Sequence, residues 1–167
     1  MLVCVEKQLA EFDLILHGEL RIDQGAAEIW SWLERFAEWK ESVVSVECVA
    51  GARGAIGEVL RIGQRPVGQT VYVLQKTLGL EFPRWKIQSL ITEDGVSTNG
   101  YVSYTLVEQD RGTLVICNVM ATVRVPIAAV TQAGGLEAFA RAANDATREK
   151  LEADHQRLKS LAEREAR

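Results

Sequence analysis

Histidine and cysteine are scarce in this sequence. The two histidines, His17 and His155, cannot supply a multi-histidine metal site. The three cysteines, Cys4, Cys48 and Cys117, are odd in number, far apart and without zinc-ligand spacing. They predict reduced thiols in a cytoplasmic protein. No metal and no cofactor is expected, because the nucleophile-elbow, Walker and dinucleotide fingerprints are all missing. GARGAIG at 51–57 is glycine-rich, but it sits in a hairpin turn rather than ahead of a helix, which argues against phosphate binding. A hydrolase triad would need a histidine base, and His155 falls on a charged helical stretch where it reads as a solvated residue. No apolar run reaches 18 residues, so no membrane span is expected. The opening MLVCVEKQLAEF has no basic start and no long apolar core, which predicts no secretion signal. The net charge is −4 and basic residues are scattered, so nucleic acid is not the expected partner.

What is present suits one domain. The 167 residues are 47% hydrophobic and 25% charged, with no repeat and no linker, so residues 1–167 read as a single unit with its core at about 11–164. Its organising stretch is C-terminal. Leu136, Ala140, Ala143, Thr147, Leu151, Asp154, Leu158 and Leu161 recur at helical spacing, with no Pro or Gly after Gly135. The first half of this helix is small-sided around Phe139, and its second half is charged with a narrow leucine seam. Upstream, Phe12 to Ile22 alternates as a strand with His17 facing outward. Asp23 is the expected cap of the AAEIWSWLERFAEW helical stretch, whose tryptophans close the end of the core or stand, as Trp32 or Trp39, at a pocket mouth. Six further strands follow, centred near 46, 59, 75, 88, 103 and 119 and punctuated at GARG (51–54), GQRPVG (63–68), EDG (93–95) and DRG (110–112). Short turns predict antiparallel neighbours. The fold class is α+β: a curved antiparallel seven-stranded sheet wrapped around a long C-terminal helix, with two short helices after the first strand. A cavity is expected between the concave sheet and the small-residue half of the helix.

Several polar side chains share parity with apolar ones: Glu58, Gln75, Ser89, Tyr104 and Asn118. Tyr and Asn can orient a carbonyl or phenol, and a buried Glu can act as a base. Asn118, between Ile116 and Met120 on a central strand, is the first choice of ligand contact. Leu60 and Met120 add apolar lining, and Phe139 and Ala143 form the helix-side wall. Glu58 and Tyr104 are the candidate acid–base pair. The outer parity of Tyr101, Val107 and Val119 suggests a homodimer.

The order of elements, with particular residues, resembles the START and pollen-allergen-like superfamily (SRPBCC, the helix-grip fold), nearest its bacterial polyketide cyclase/dehydratase branch. Ile22, Ala26, Glu28, Ile29, Trp30 and Leu33 match the opening motif at the end of the first strand. Trp39, Val43 and Val44 match the approach to the second strand, and Gly54, Gly57 and Glu58 to Arg61 match the glycine-rich hairpin. Pro83 and Trp85 to Ser89 match the start of the fifth strand. Gly25-Ala26 replaces the usual proline, and Gly134-Gly135 interrupts the helix start. The resemblance implies a pocket for a small hydrophobic or aromatic molecule, lipid included. The alternatives are a cyclase, aromatase or dehydratase acting on polyketide chains, and a non-catalytic interaction module whose cavity is filled.

Overall fold

A computed structural model describes residues 8–67, 69–94 and 97–165. Cys4, the opening segment through Lys7, Gly68 of the GQRPVG stretch and Gly95 of the EDG turn lie outside the described residues. The chain runs β1 (Leu9–Ile22), α1 (Ala26–Glu34), α2 (Phe36–Trp39), β2 (Val43–Ala50), β3 (Val59–Val67) and β4 (Gln69–Glu81). It continues through β5 (Trp85–Thr92), β6 (Thr98–Glu108), β7 (Thr113–Pro126), α3 (Ile127–Gln132) and α4 (Leu136–Glu165). One seven-stranded antiparallel sheet has the order β1-β7-β6-β5-β4-β3-β2. The first strand therefore reaches the last across the N- and C-terminal halves, and every other neighbour is a hairpin partner.

Alternation along each strand assigns the two faces. Leu16, Leu20 and Ile22 of β1 are buried, while His17, Glu19 and Arg21 are exposed. The register carries this concave face across the sheet: Leu20 to Val115, Gly18 to Cys117, Cys117 to Tyr104, and Tyr104 to Lys86. It continues from Gln88 to Thr77 and from Gln75 to Leu60. Asn118, Met120 and Ser89 are thereby placed on the convex face, not in the interior. The physical reason lies in β5 and β7. On β7 both parities are apolar, so hydrophobicity did not choose between them. On β5 the interior parity is the polar one, Lys86, Gln88 and Thr92, all buried, while Trp85 and Ile91 are exposed. Val119 shares the concave parity with Cys117, so it cannot contribute to an outer dimer surface with Tyr101 and Val107.

The helices differ from expectation at three points. The cap of α1 is Gly25 in extended conformation, not Asp23. Gly134 and Gly135, both at positive φ, divide the C-terminal helical stretch into α3 and α4. The buried part of the 30-residue α4 is its charged second half, through Asp154, His155, Leu158 and Ala162. Its small-residue half is half-buried along β1, where Phe139 meets Phe12 edge-on at 5.8 Å between ring centroids. His155 is 3% exposed and is not a solvated residue. Trp30, Trp32 and Trp39 are all buried, and Trp39 donates its indole N–H to the Trp32 carbonyl at 2.8 Å.

At Gly100 the sheet tolerates no side chain. A Cβ there would meet the Met120 carbonyl oxygen and lie 2.5 Å from the Ala121 Cα. Both are backbone atoms of the neighbouring strand, which cannot give way locally. Gly100→Ala is expected to lower stability by about 1–3 kcal/mol, the usual range for overpacking, measured by urea denaturation. A midpoint equal to that of the parent would contradict the assigned β6–β7 register.

Candidate functional site

The concave face carries more polar chemistry than a structural core needs. Inward parity on β6 supplies Tyr104, between Lys86 of β5 and Cys117 of β7. Gln88 of β5 donates to the Thr77 hydroxyl of β4 at 3.2 Å. Lys86, 6% exposed, donates to a Glu34 carboxylate oxygen at 2.8 Å, so its charge is neutralised from α1. The short helices close this region from one side. Lys40 follows α2, and its ammonium lies 5.1 Å from the Trp39 ring centroid and 5.8 Å from that of Phe36. From the other side α4 inserts His155, whose ring centroid is 6.5 Å from both Trp39 and Tyr104.

Between these groups lies a cavity of about 20 Å³, lined by Leu33, Phe36, Trp39, Lys40, Gln75, Lys86, Gln88, Val102 and Tyr104. That is room for about one water molecule. Larger depressions are open surface features. One of about 250 Å³ lies on the convex face between Ile15, Tyr101 and Met120, and one of about 660 Å³ lies beside Pro83, Trp85 and Leu106. Neither is lined by His155, Lys40 or Tyr104.

His155 Nε2 is buried without a hydrogen-bond partner, and the buried Tyr104 hydroxyl has no oxygen or nitrogen partner, its one polar neighbour being the Cys117 thiol, a weak acceptor. Such atoms are uncommon in folded proteins and each costs free energy. Burial pushes the Tyr104 phenol well above its usual range, and the neighbouring Cys117 thiol and Asp154 add to this. Burial likewise raises the Cys117 thiol, while Lys40 and the Tyr104 hydroxyl act in the opposite sense. Lys40 is pushed down by loss of solvent, with Cys117 and Asp154 opposing. His155 is lowered to about 4, chiefly by burial and then by the Lys40 charge.

Of the residues singled out from sequence, Gln75 and Tyr104 line the cavity. Leu60 is concave and fully buried among core side chains, outside the cavity lining. Glu58 is also concave and 0% exposed, but it lies opposite Thr77, at the β3 end of the sheet and three strands from Tyr104. Its nearest charge is the Arg53 guanidinium at 3.8 Å. The structure does not bring the proposed acid–base pair into one space. Phe139 and Ala143 flank β1 and do not line the cavity. Asn118 is occupied on the convex face, where its amide oxygen is 2.8 Å from His17 Nδ1. Met120 is 60% exposed, and Ser89 faces outward opposite Tyr101 and Lys76. Lys40, Lys86, Gln88 and His155 escaped the sequence reading. Lys86 and Gln88 lacked any apolar-parity signal. The phase of His155 with Leu151 and Leu158 was a usable clue to its burial.

Burial of neutral His155 has a pH consequence. Its folded value of about 4 lies below the unfolded value of 6.5, so the unfolded chain takes up this proton first. The contribution is complete above about pH 6.5 and is lost as pH falls toward 4. Its size is roughly 3 kcal/mol. The stability difference between the parent and His155→Phe, followed by denaturation from pH 7 to 4, should shrink or reverse over that interval. A constant difference would rule out a neutral buried imidazole.

No family model and no curated protein sequence matches the chain. Solved structures do. The di-domain ARO/CYC StfQ from the steffimycin biosynthetic pathway aligns with a TM-score of 0.72 at 12% identity, over 92% of this chain and 52% of that one. This chain thus spans about half the length of that protein. A START superfamily protein from Mycobacterium smegmatis aligns at 0.68 and 14% identity, over 90% of this chain and 97% of its own. Ara h 8.0201 aligns at 0.65 and 14% identity, over 90% and 98%. Among the described residues no helix is long and apolar enough to cross a membrane, and no metal-ligating cluster is found. At these identities the likeness is one of fold, and by its strand order, its long C-terminal helix and these alignments the chain has the START-like helix-grip fold.

Proposed function

We propose that the chain binds a small apolar or aromatic molecule on the concave face of its sheet. The observation that carries this reading is the Tyr104 hydroxyl: buried, with no partner better than the Cys117 thiol, and bordering a cavity that admits one small polar group. A structural core gains nothing from such a group, whereas a ligand carbonyl or hydroxyl would satisfy it. The body of the ligand has a neighbouring surface. Leu14, Val119, Leu90 and Val73 share the concave parity and are only half-buried. Ligand sites of this kind are mostly apolar with a few placed polar groups.

A second reading is the interaction module with a filled interior, and the small volume of the enclosed cavity favours it. A cyclase or dehydratase would need an acid and a base in one space, and Glu58 and Tyr104 do not share one.

Tyr104→Phe separates the first two readings. Removing a hydroxyl whose one polar neighbour is a weak sulfur acceptor should change the stability of the ligand-free protein by no more than about 1 kcal/mol. The same change should weaken binding of 2-acetylnaphthalene by about 3–10-fold, the worth of one hydrogen bond, as read by displacement of the neutral fluorophore N-phenyl-1-naphthylamine. If the parent protein binds neither compound, the filled-interior reading stands and ligand binding is refuted.

A further inference from the structure

The second cation of the cavity has no carboxylate partner among the described residues. Lys86 is bonded to Glu34 at 2.8 Å, but the Lys40 ammonium makes neither an ion pair nor a hydrogen bond among the described residues. Its ammonium rests over the Trp39 and Phe36 rings. Its backbone is fixed, because its N–H closes α2 on the Phe36 carbonyl at 2.8 Å. No carboxylate lines the cavity. The buried Asp154 of α4 is felt by Lys40 but forms no ion pair with it within 4.0 Å. With Glu34 cancelling Lys86, the lining is left with one positive charge.

Three further features turn this charge into a recognition site. The Tyr104 hydroxyl, a donor, borders the same cavity and has only the Cys117 thiol as a polar neighbour. Gln75, half-buried on the lining, makes no side-chain hydrogen bond among the described residues. The volume of about 20 Å³ suits one small oxygen-bearing group and excludes a ring. Donors gathered beside a half-buried cation fit an anion better than a neutral carbonyl, because charge-assisted bonds are roughly twice as strong.

We infer that Lys40 selects the ligand's charge: the molecule bound on the concave face is an organic monoanion, an apolar or aromatic body ending in a carboxylate that sits between Lys40 and Tyr104. This rests on the ligand-binding reading proposed above. Loss of solvent around Lys40 is consistent with it, since a bound carboxylate would supply the charge partner that water no longer does.

The test compares 2-naphthoate with its uncharged methyl ester at pH 7, each displacing N-phenyl-1-naphthylamine from the full chain. The expected result is a preference for the acid of about tenfold or more. Lys40→Met should abolish that preference by lowering the acid's affinity about tenfold or more and the ester's by much less, and Lys40→Arg should retain most of it. Equal affinities in the parent, or a Lys40→Met variant that weakens acid and ester alike, would overturn the inference and assign Lys40 to packing against Trp39. The parent's acid-to-ester ratio decides the matter even if a variant fails to fold. If the ester binds and the acid does not, the charge inference alone falls. If neither acid nor ester binds and the fluorophore is not taken up, the underlying reading falls with it.

Discussion

The structure depends on the seat of α4 at Gly18. A Cβ on that residue would lie 3.3 Å from the His155 ring and 3.4 Å from a Leu151 methyl, tighter than most real contacts allow at the first. The bare backbone lets the imidazole descend onto β1 and reach both Trp39 and Tyr104. Leu158, fully buried, anchors the next turn. One close approach thus couples the long helix, the short helices and the centre of the sheet. It also explains why the charged half of α4 is the buried half. The helix is held where the strand lacks a side chain, and its alanines extend past that point along the outer part of β1.

Much of this architecture was legible in the sequence. Element order, strand count and the long terminal helix followed from periodicity and turn residues. The inward parity of β1 and β6, and with it Tyr104, followed from clean alternation. On β4 alternation grouped Gln75 with Val71, Val73 and Thr77 without saying which face is inward; that set is the inward one, and a register shift after Thr77 moves the next inward residue to Leu80. The failures share one cause. Where both faces of a strand are apolar, as on β7, or where the interior face is the polar one, as on β5, hydrophobicity carries no directional information. Asn118, Met120 and Ser89 were assigned to the wrong side for that reason. The surroundings of Lys40 and His155 depend on strands and helices tens of residues away, beyond the reach of any local pattern.

The polar chamber is the part of the molecule that stability alone does not account for. A lysine lacking an anion and a tyrosine with no acceptor better than a thiol border a space the size of one water molecule. Buried ionisable groups left uncompensated are costly, and they cluster where a protein meets a ligand. The fold itself carries no such implication. Solved structures with this architecture include a di-domain ARO/CYC and a START superfamily protein, at identities of 12% and 14%. What sets this chain apart is therefore its lining rather than its frame.

The polar interior of β5 has a consequence for how the chain finds its register. Shifting the strand by one residue would turn Trp85, Ile87, Ser89 and Ile91 inward and expel Lys86 and Gln88, a more oily and locally more comfortable arrangement. Native pairing is held against that alternative by the Lys86–Glu34 bridge and the Gln88–Thr77 bond. The strand is frustrated in the landscape sense. Sequence optimisation aimed only at melting temperature would replace these two residues with aliphatics, and the result would be a sturdier sheet with no chamber against it.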